Sequence, residues 1–208
     1  MKLQPPYIIA EIGVNFYDIA RVKGITPIEA ARLMIREAKN AGANAAKFQS
    51  YKAGKIVSRH ARAYWDRTKE PTASQYELFK KFDHFGPTEY RALARYCRSI
   101  GIDFLSTPFD LEAVDFLDPL VSSFKISSSD ITNIPLLKRV ASKKKPIFFS
   151  VGASTISEIK TALDTIRGVH PRARVTILHC VLAYPTPVRY ANLFRISALK
   201  EIFPDSRI

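Results

Sequence analysis

The chain has 208 residues, of which 47% are hydrophobic and 25% are charged, a composition typical of a globular protein with a sizeable core. It has no apolar run of the roughly 18 residues that a membrane span needs. Its net charge of +13 comes from basic residues scattered along the chain, without a recognisable nucleic-acid-binding motif. We therefore expect neither a membrane nor a nucleic acid as partner.

Cysteine usage and the N-terminal residues indicate the compartment. Cys97 and Cys180 both lie in apolar-periodic segments, which favours two buried thiols over a disulfide. The N-terminal residues MKLQPPYIIAEIG lack both a long apolar stretch and a small-residue cleavage site. These features predict a mature N-terminus and a cytoplasmic protein.

The first predicted elements are a strand and a well-marked helix. The strand covers Tyr7–Gly13. The helix follows with Thr26 as its N-cap, Pro27 at its first position, Glu29 completing a capping box and Gly42 ending it. A second strand, 45–49, leads into a polar segment that reaches about residue 73. That segment is too long for a tight turn and is a candidate lid or substrate loop.

The remaining elements continue the alternation of helices and strands. They are predicted as helices near Gln75–Phe82 and Thr88–Ser99, a strand at Asp103–Thr107, a helix from Leu111 capped by Asp110, a strand within 123–130, a helix from near Asn133, a strand at Ile147–Val151, a helix from Thr155, a strand at Val175–Cys180 and a helix at about Leu193–Ile202. Such alternation favours an α/β fold with a parallel sheet covered on both faces. No G-x-G-x-x-G follows the first strand, which weakens the case for a dinucleotide-binding fold.

Polar side chains recur where the predicted strands end, namely at Glu11, Lys47, Gln49, Thr107, Lys125 and Ser150. In a (β/α)₈ TIM barrel those ends form the active-site face. Because side chains alternate between the two faces of a strand, Glu11, Lys47 and Lys125 are predicted to point into the barrel interior. We therefore predict a fold of the (β/α)₈ type, with about six of its eight βα units in this chain.

The two strand-end lysines predict an anion site. Lys47 and Lys125 would supply the cations, and the hydroxyls of Thr107, Ser128 and Ser150 could donate to phosphate or carboxylate oxygens. The alternative is that each lysine extends towards solvent or pairs with a neighbouring carboxylate, Glu11 or Asp130.

Six segments resemble the sialic acid (N-acetylneuraminate) synthase family in sequence and order: IIAEIGVN, AAKFQ, FLSTPFD, FKISSSD, FSVGAST and LHCVLAYPTP. The resemblance extends over essentially the whole chain. It implies a TIM-barrel enzyme that condenses phosphoenolpyruvate with an N-acylated amino sugar, giving a nonulosonic acid and phosphate. It also implies a divalent metal, Mn²⁺ or Mg²⁺, and a homodimer for the full-length form.

The resemblance also assigns site residues. It implies that phosphoenolpyruvate is held by Lys47, Thr107, Lys125, Ser128 and Ser150. Glu11 and Gln49 resemble the family's active-site carboxylate and amide. Asp130 stands where the family often has glutamate and is a candidate proton-transfer group, as is Glu11. Tyr184 resembles a sugar contact. The expected catalytic set is thus Glu11, Lys47, Lys125 and Asp130.

Several departures from the family pattern affect these expectations. A His-x-Gly-like turn is replaced at residues 16–18, Asp130 is one methylene shorter than glutamate, and Leu182 stands where relatives often have a polar residue. The family's two metal-ligating histidines and its C-terminal antifreeze-like domain have no counterpart in residues 1–208, which we interpret as the N-terminal part of the barrel. The chain's own histidines show no metal-ligand spacing, so no metal ligand is assigned.

Other functions remain open from the sequence. One is a different phosphoenolpyruvate aldol synthase that makes a deoxy-sugar phosphate. Another is a catalytically inactive anion- or sugar-binding fragment, or one subunit of a split synthase. Unpaired outer strands would also make an incomplete barrel prone to association.

Overall fold

The computed structural model describes residues 5–208. The chain forms two compact units, the first ending at Val121 and the second running from Ser122 to Ile208. In the described residues, no helix is both long and apolar enough to cross a membrane.

The first unit is a three-stranded parallel sheet with helices. Its elements are β1 Ile9–Gly13, α1 Phe16–Lys23, α2 Pro27–Asn40, β2 Ala45–Ser50, α3 Ala53–Ile56, α4 Gln75–Lys80, α5 Pro87–Ser99, β3 Asp103–Pro108 and α6 Leu111–Leu117. The strand order is β1-β2-β3. The register pairs Glu11 with Lys47 and Gln49 with Thr107. Parallel pairing thus places these four residues on neighbouring strands at the same end of the sheet.

The predicted capping box of α2 is confirmed. Thr26 Oγ1 accepts a hydrogen bond from the backbone N–H of Glu29, and the Glu29 carboxylate accepts one from the Thr26 N–H at 2.8 Å. By contrast, we did not predict α1, whose Phe16 is fully buried and which ends at Gly24 with a φ of 64°. Its tertiary contacts, rather than a strong apolar period, account for this helix.

An aromatic cluster forms the core on one side of the first sheet. The fully buried ring of Phe48 on β2 lies 5.9 Å from Phe16 and 5.7 Å from Phe104 on β3, measured between ring centroids. Phe16 in turn contacts Phe85 at 4.6 Å. Since successive side chains of a strand point to opposite faces, Phe48 fixes the direction in which Lys47 and Gln49 project.

The polar segment after β2 is partly ordered by a buried carboxylate. Asp83 is only 4% exposed, and its Oδ2 accepts a hydrogen bond from the N–H of Ala53 at 3.0 Å. Lys52 Nζ donates to the carbonyl oxygen of Phe85 at 2.9 Å. The segment predicted as a loop therefore begins with the short helix α3, tied to the chain that precedes α5.

The second unit is also a three-stranded parallel sheet with helices. Its elements are β4 Phe124–Ile126, α7 Ile134–Ser142, β5 Ile147–Ser150, α8 Ile156–Val169, β6 Val175–Leu178 and α9 Phe194–Ile202, with 3₁₀ turns at Ser128–Asp130 and Val188–Tyr190. The strand order is β4-β5-β6. Arg207 adds an isolated parallel bridge to Thr176 on β6.

The α/β class with parallel sheets is confirmed, and all six predicted strands are present. They pair within the described residues as two sheets of three rather than as one sheet. Strands β5 and β6 end at Ser150 and Leu178, earlier than predicted. The apolar residues Val151 and Cys180 lie just beyond these ends, where the backbone enters loops.

Candidate functional site

In the first unit, a buried lysine lies among polar groups at the carboxyl end of the sheet. Lys47 is 9% exposed, and its Nζ forms an ion pair with the carboxylate of Glu11. The same Nζ donates to Thr107 Oγ1 at 3.5 Å. The ion pair that the sequence left open as an alternative for Lys47 is therefore present, and the pair lies beside the Thr107 hydroxyl, which accepts from Lys47.

Gln49 and Gly13 complete this cluster. A Cβ on Gly13 would lie 3.2 Å from Glu11 Oε1 and 3.6 Å from Gln49 Nε2, so the carboxylate and the amide both lie close to this glycine. The φ of Gly13 is +56°, a left-handed conformation that favours glycine. Behind the strand, Tyr90 Oη on α5 donates to the carbonyl oxygen of Gln49 at 2.6 Å and anchors the end of β2.

In the second unit, Lys125 is the buried cation of β4. It is 7% exposed, and its Nζ donates to the carbonyl oxygen of Ile126 at 2.7 Å. Ser128, predicted as an anion donor, begins the 3₁₀ turn that follows β4 and is half-buried. The positive charge of Lys125 also acts on the carboxyl group of Asp130 in the same turn.

Burial controls the ionisation of Asp130. Desolvation raises the pKa of this carboxyl above its ordinary value of 3.8, and it outweighs the hydrogen bonds from Asn133 and Ser129 and the charge of Lys125, all of which lower that pKa. A carboxyl group with a raised pKa keeps its proton more readily, which suits the proton-transfer role expected from the sequence.

The raised pKa of Asp130 predicts a pH-dependent stability. The folded protein binds the Asp130 proton more tightly than the unfolded chain, so this group's favourable contribution is complete below pH 3.8 and is lost as pH rises through the higher folded pKa. We expect Asp130→Asn to remove this loss. Urea denaturation of both proteins between about pH 3 and pH 7 measures it. If the difference in unfolding free energy between the unaltered chain and Asp130→Asn did not change with pH, the raised pKa of Asp130 would be contradicted.

Ser150 ends β5 and contacts Cys180, which was predicted from the sequence only as a buried thiol and was not placed at the site. Ser150 is 7% exposed, and the Cys180 thiol lies 3.3 Å from its Oγ. Tyr184, the predicted sugar contact, is 90% exposed in the segment after β6. The structure therefore presents Tyr184 to solvent and keeps Ser150 largely enclosed.

A divalent metal does not fit the side chains that the structure describes. Across residues 5–208, no three His, Cys, Asp or Glu side chains come together in a way that could hold a metal ion. His179, which follows β6, uses Nε2 to contact the carbonyl oxygen of Ala191 at 2.8 Å. Its Nδ1 is buried without a hydrogen-bond partner, so His179 holds the loop after β6 rather than presenting a ligand set. No metal step is therefore derived for these residues.

The protein is thus an α/β protein with lysine and hydroxyl side chains at the carboxyl ends of its parallel strands. Residues 34–207 match the model of the NeuB family, and the chain belongs to that family. This agrees with the family resemblance derived from the six sequence segments.

Individual relatives give the same result. The chain is 36% identical over 200 residues to the N,N'-diacetyllegionaminic acid synthase of Campylobacter jejuni, covering 94% of this chain and 57% of the relative. It is 33% identical to the human N-acetylneuraminate-9-phosphate synthase, covering 97% and 54%. A crystal structure of the N-acetylneuraminic acid synthetase of Leptospira borgpetersenii, bound to citrate, superposes with a TM-score of 0.79 at 33% identity, covering 95% and 62%. The chain spans about half the length of the curated relatives it matches.

Proposed function

We propose that this chain provides the phosphoenolpyruvate-binding part of a nonulosonic acid synthase. Membership of the NeuB family and the names of the relatives support a sialic-type acid synthase. The observation that carries the substrate assignment is the buried Lys47, held between a carboxylate and a hydroxyl at the end of a parallel strand. In this proposal residues 1–208 are the N-terminal part of a (β/α)₈ barrel, and the sheet orders β1-β2-β3 and β4-β5-β6 follow the chain as barrel strands do.

Each unit supplies groups suited to a multiply charged anion. In the first, Lys47 and Thr107 offer an ammonium group and a hydroxyl, and Gln49 adds an amide donor. In the second, Lys125, Ser128 and Ser150 offer the same kinds of group. Charge-assisted hydrogen bonds of this type are about twice as strong as neutral ones, which favours phosphate and carboxylate ligands.

The proposed reaction forms a carbon–carbon bond. C3 of phosphoenolpyruvate attacks the aldehyde carbon of the open-chain amino sugar, and positive charge develops at C2. Water adds at C2, and phosphate then leaves with its bridging oxygen as that C–O bond breaks. Glu11 is placed beside Lys47, and Asp130 has a raised pKa, so either carboxyl group could stabilise the positive charge or transfer a proton.

The remaining assignments extend this proposal. Tyr184 would contact the N-acyl amino sugar from its exposed position after β6. The full-length protein would act in the cytoplasm as a homodimer with a divalent metal, Mn²⁺ or Mg²⁺, whose histidine ligands are not among the residues of this chain.

Calorimetric titration with phosphoenolpyruvate tests the proposal on the 208-residue chain, with and without Mn²⁺. We expect saturable binding that does not depend on the metal. Lys125→Ala should weaken it by about tenfold or more, since a hydrogen bond to a charged group contributes about 1.5–3 kcal/mol. The exposed Lys160 on α8 gives a matched control, and Lys160→Ala should bind like the unaltered chain.

The outcomes separate the possible functions. Binding without any turnover of an N-acetyl amino sugar would favour an inactive anion-binding protein or one subunit of a split enzyme. Turnover that requires a phosphorylated sugar lacking the N-acyl group would favour a deoxy-sugar phosphate synthase. No binding of phosphoenolpyruvate at all would refute the proposal.

A further inference from the structure

Cys180 lies against the proposed phosphoenolpyruvate ligand Ser150. Its Sγ is 3.3 Å from Ser150 Oγ and 3.4 Å from the carbonyl oxygen of Leu178. Ser150 is the last residue of β5, and Cys180 follows the end of β6 by two residues. The thiol thus connects the ends of two neighbouring parallel strands at the hydroxyl that is proposed to bind the anion.

Gly152 provides the space that this contact needs. A Cβ on residue 152 would lie 3.0 Å from Cys180 Cβ and 3.3 Å from the Cys180 carbonyl oxygen. Contacts this short would force Cys180 or the loop after β5 to move. The absence of a side chain at Gly152 therefore lets the loop after β5 lie close to the Cβ and carbonyl group of Cys180.

The chemistry of a thiol suits a positioning role. An S–H group is a weak hydrogen-bond donor and sulfur is a weak acceptor. The single thiol proton can go to Ser150 Oγ, or it can go to Leu178 while the Ser150 hydroxyl donates to sulfur. In the first arrangement the thiol holds Ser150 Oγ as an acceptor and leaves the hydroxyl proton available for a phosphate or carboxylate oxygen. In the second, the hydroxyl must give up a weak bond to sulfur before it donates to the anion, which costs little.

We propose that Cys180 is a positioning residue, which orients the Ser150 hydroxyl for phosphoenolpyruvate, while Gly152 leaves room for the Cys180 backbone and Cβ beside the loop after β5. The inference rests on the proposed function, in which Ser150 donates to the substrate anion. Cys180 itself does not touch the ligand, so its effect on binding should pass entirely through Ser150.

A double-mutant cycle on the 208-residue chain tests this dependence, with phosphoenolpyruvate affinity measured by calorimetry. Ser150→Ala should weaken binding by about tenfold, the loss of one hydrogen bond to a charged group, and Cys180→Ala should weaken it by about threefold. The double variant should bind like Ser150→Ala alone, because Cys180 has then lost the group it orients. Should Cys180→Ala not fold, Cys180→Val, which also lacks a hydrogen-bonding group, takes its place in the same cycle and should show the same dependence on Ser150.

The possible outcomes test the positioning role of Cys180 separately from the proposed binding of phosphoenolpyruvate. If the loss of affinity in the double variant equalled the product of the two single losses, the positioning role would be overturned. A merely structural effect of Cys180 would persist in this way without the Ser150 hydroxyl. An unchanged affinity of Cys180→Ala would overturn the positioning role and leave the proposed function intact, whereas an unchanged affinity of Ser150→Ala would overturn both the positioning role and the assignment of Ser150 as an anion donor. If the unaltered chain does not bind phosphoenolpyruvate, both the proposed function and this inference fail.

Discussion

Replacing Lys47 with alanine should weaken phosphoenolpyruvate binding by about 100-fold or more, near the upper limit for one charged hydrogen-bonding group. The substitution removes a buried cation, and it also leaves the carboxylate of Glu11 without its ion-pair partner. That negative charge would then repel the anion. Isothermal titration of the variant and the unaltered chain measures the effect.

The Glu11→Gln variant separates these two contributions. It keeps the size of the side chain but removes the charge that Lys47 now pairs with, so phosphoenolpyruvate should bind more tightly than to the unaltered chain. Glu11→Gln combined with Lys47→Ala should recover part of the affinity that Lys47→Ala loses. A Lys47→Ala variant with unchanged affinity would show that Lys47 only balances Glu11 and does not bind the ligand.

Replacing Phe48 with alanine should lower the free energy of unfolding by about 3–5 kcal/mol, the usual cost of deleting a fully buried aromatic ring. Phe48 is completely enclosed and packs against Phe16 and Phe104, which belong to α1 and β3. The cavity would lie directly behind Lys47. Urea denaturation followed by circular dichroism measures the loss.

Two further variants make this result specific. Phe48→Leu retains most of the apolar volume and should cost clearly less than the alanine variant. Tyr64 is an aromatic residue of the same unit that is 78% exposed, and Tyr64→Ala should change the stability by no more than about 0.5 kcal/mol. Equal losses at positions 48 and 64 would contradict the packing described for the first sheet.

Features set by neighbouring residues could be predicted from the sequence. The Thr26–Glu29 capping box depends on four consecutive residues, and the common face of Lys47 and Gln49 follows from strand alternation. Helix α1 was missed because the burial of Phe16 depends on Phe48 and Phe85, which are distant in sequence. The ends of β5 and β6 were placed one and two residues too late, because the apolar side chains of Val151 and Cys180 follow the last residues of the two strands.

In the candidate site, too, features that depend on adjacent residues were predictable, whereas features that depend on tertiary contacts were not. Most of its polar residues were found because they stand near strand ends, which the sequence marks, whereas Asp130 and Tyr184 were assigned only from the family resemblance. Whether Lys47 is paired was not predictable, since the choice between Glu11 and solvent depends on the register of β1 against β2. The role inferred for Cys180 left no local signal, because Ser150 lies 30 positions earlier and only the pairing of β5 with β6 brings them together.

The two cysteines differ in the reactivity of their thiols, so that one of them can be labelled selectively. Cys97 is fully enclosed on α5, and burial raises the pKa of its thiol to about 12, so its reactive thiolate is scarce at neutral pH. Cys180 is partly exposed beside Ser150. A maleimide fluorophore should therefore attach at Cys180 alone in the folded protein, placing one dye next to the proposed substrate without any engineered cysteine.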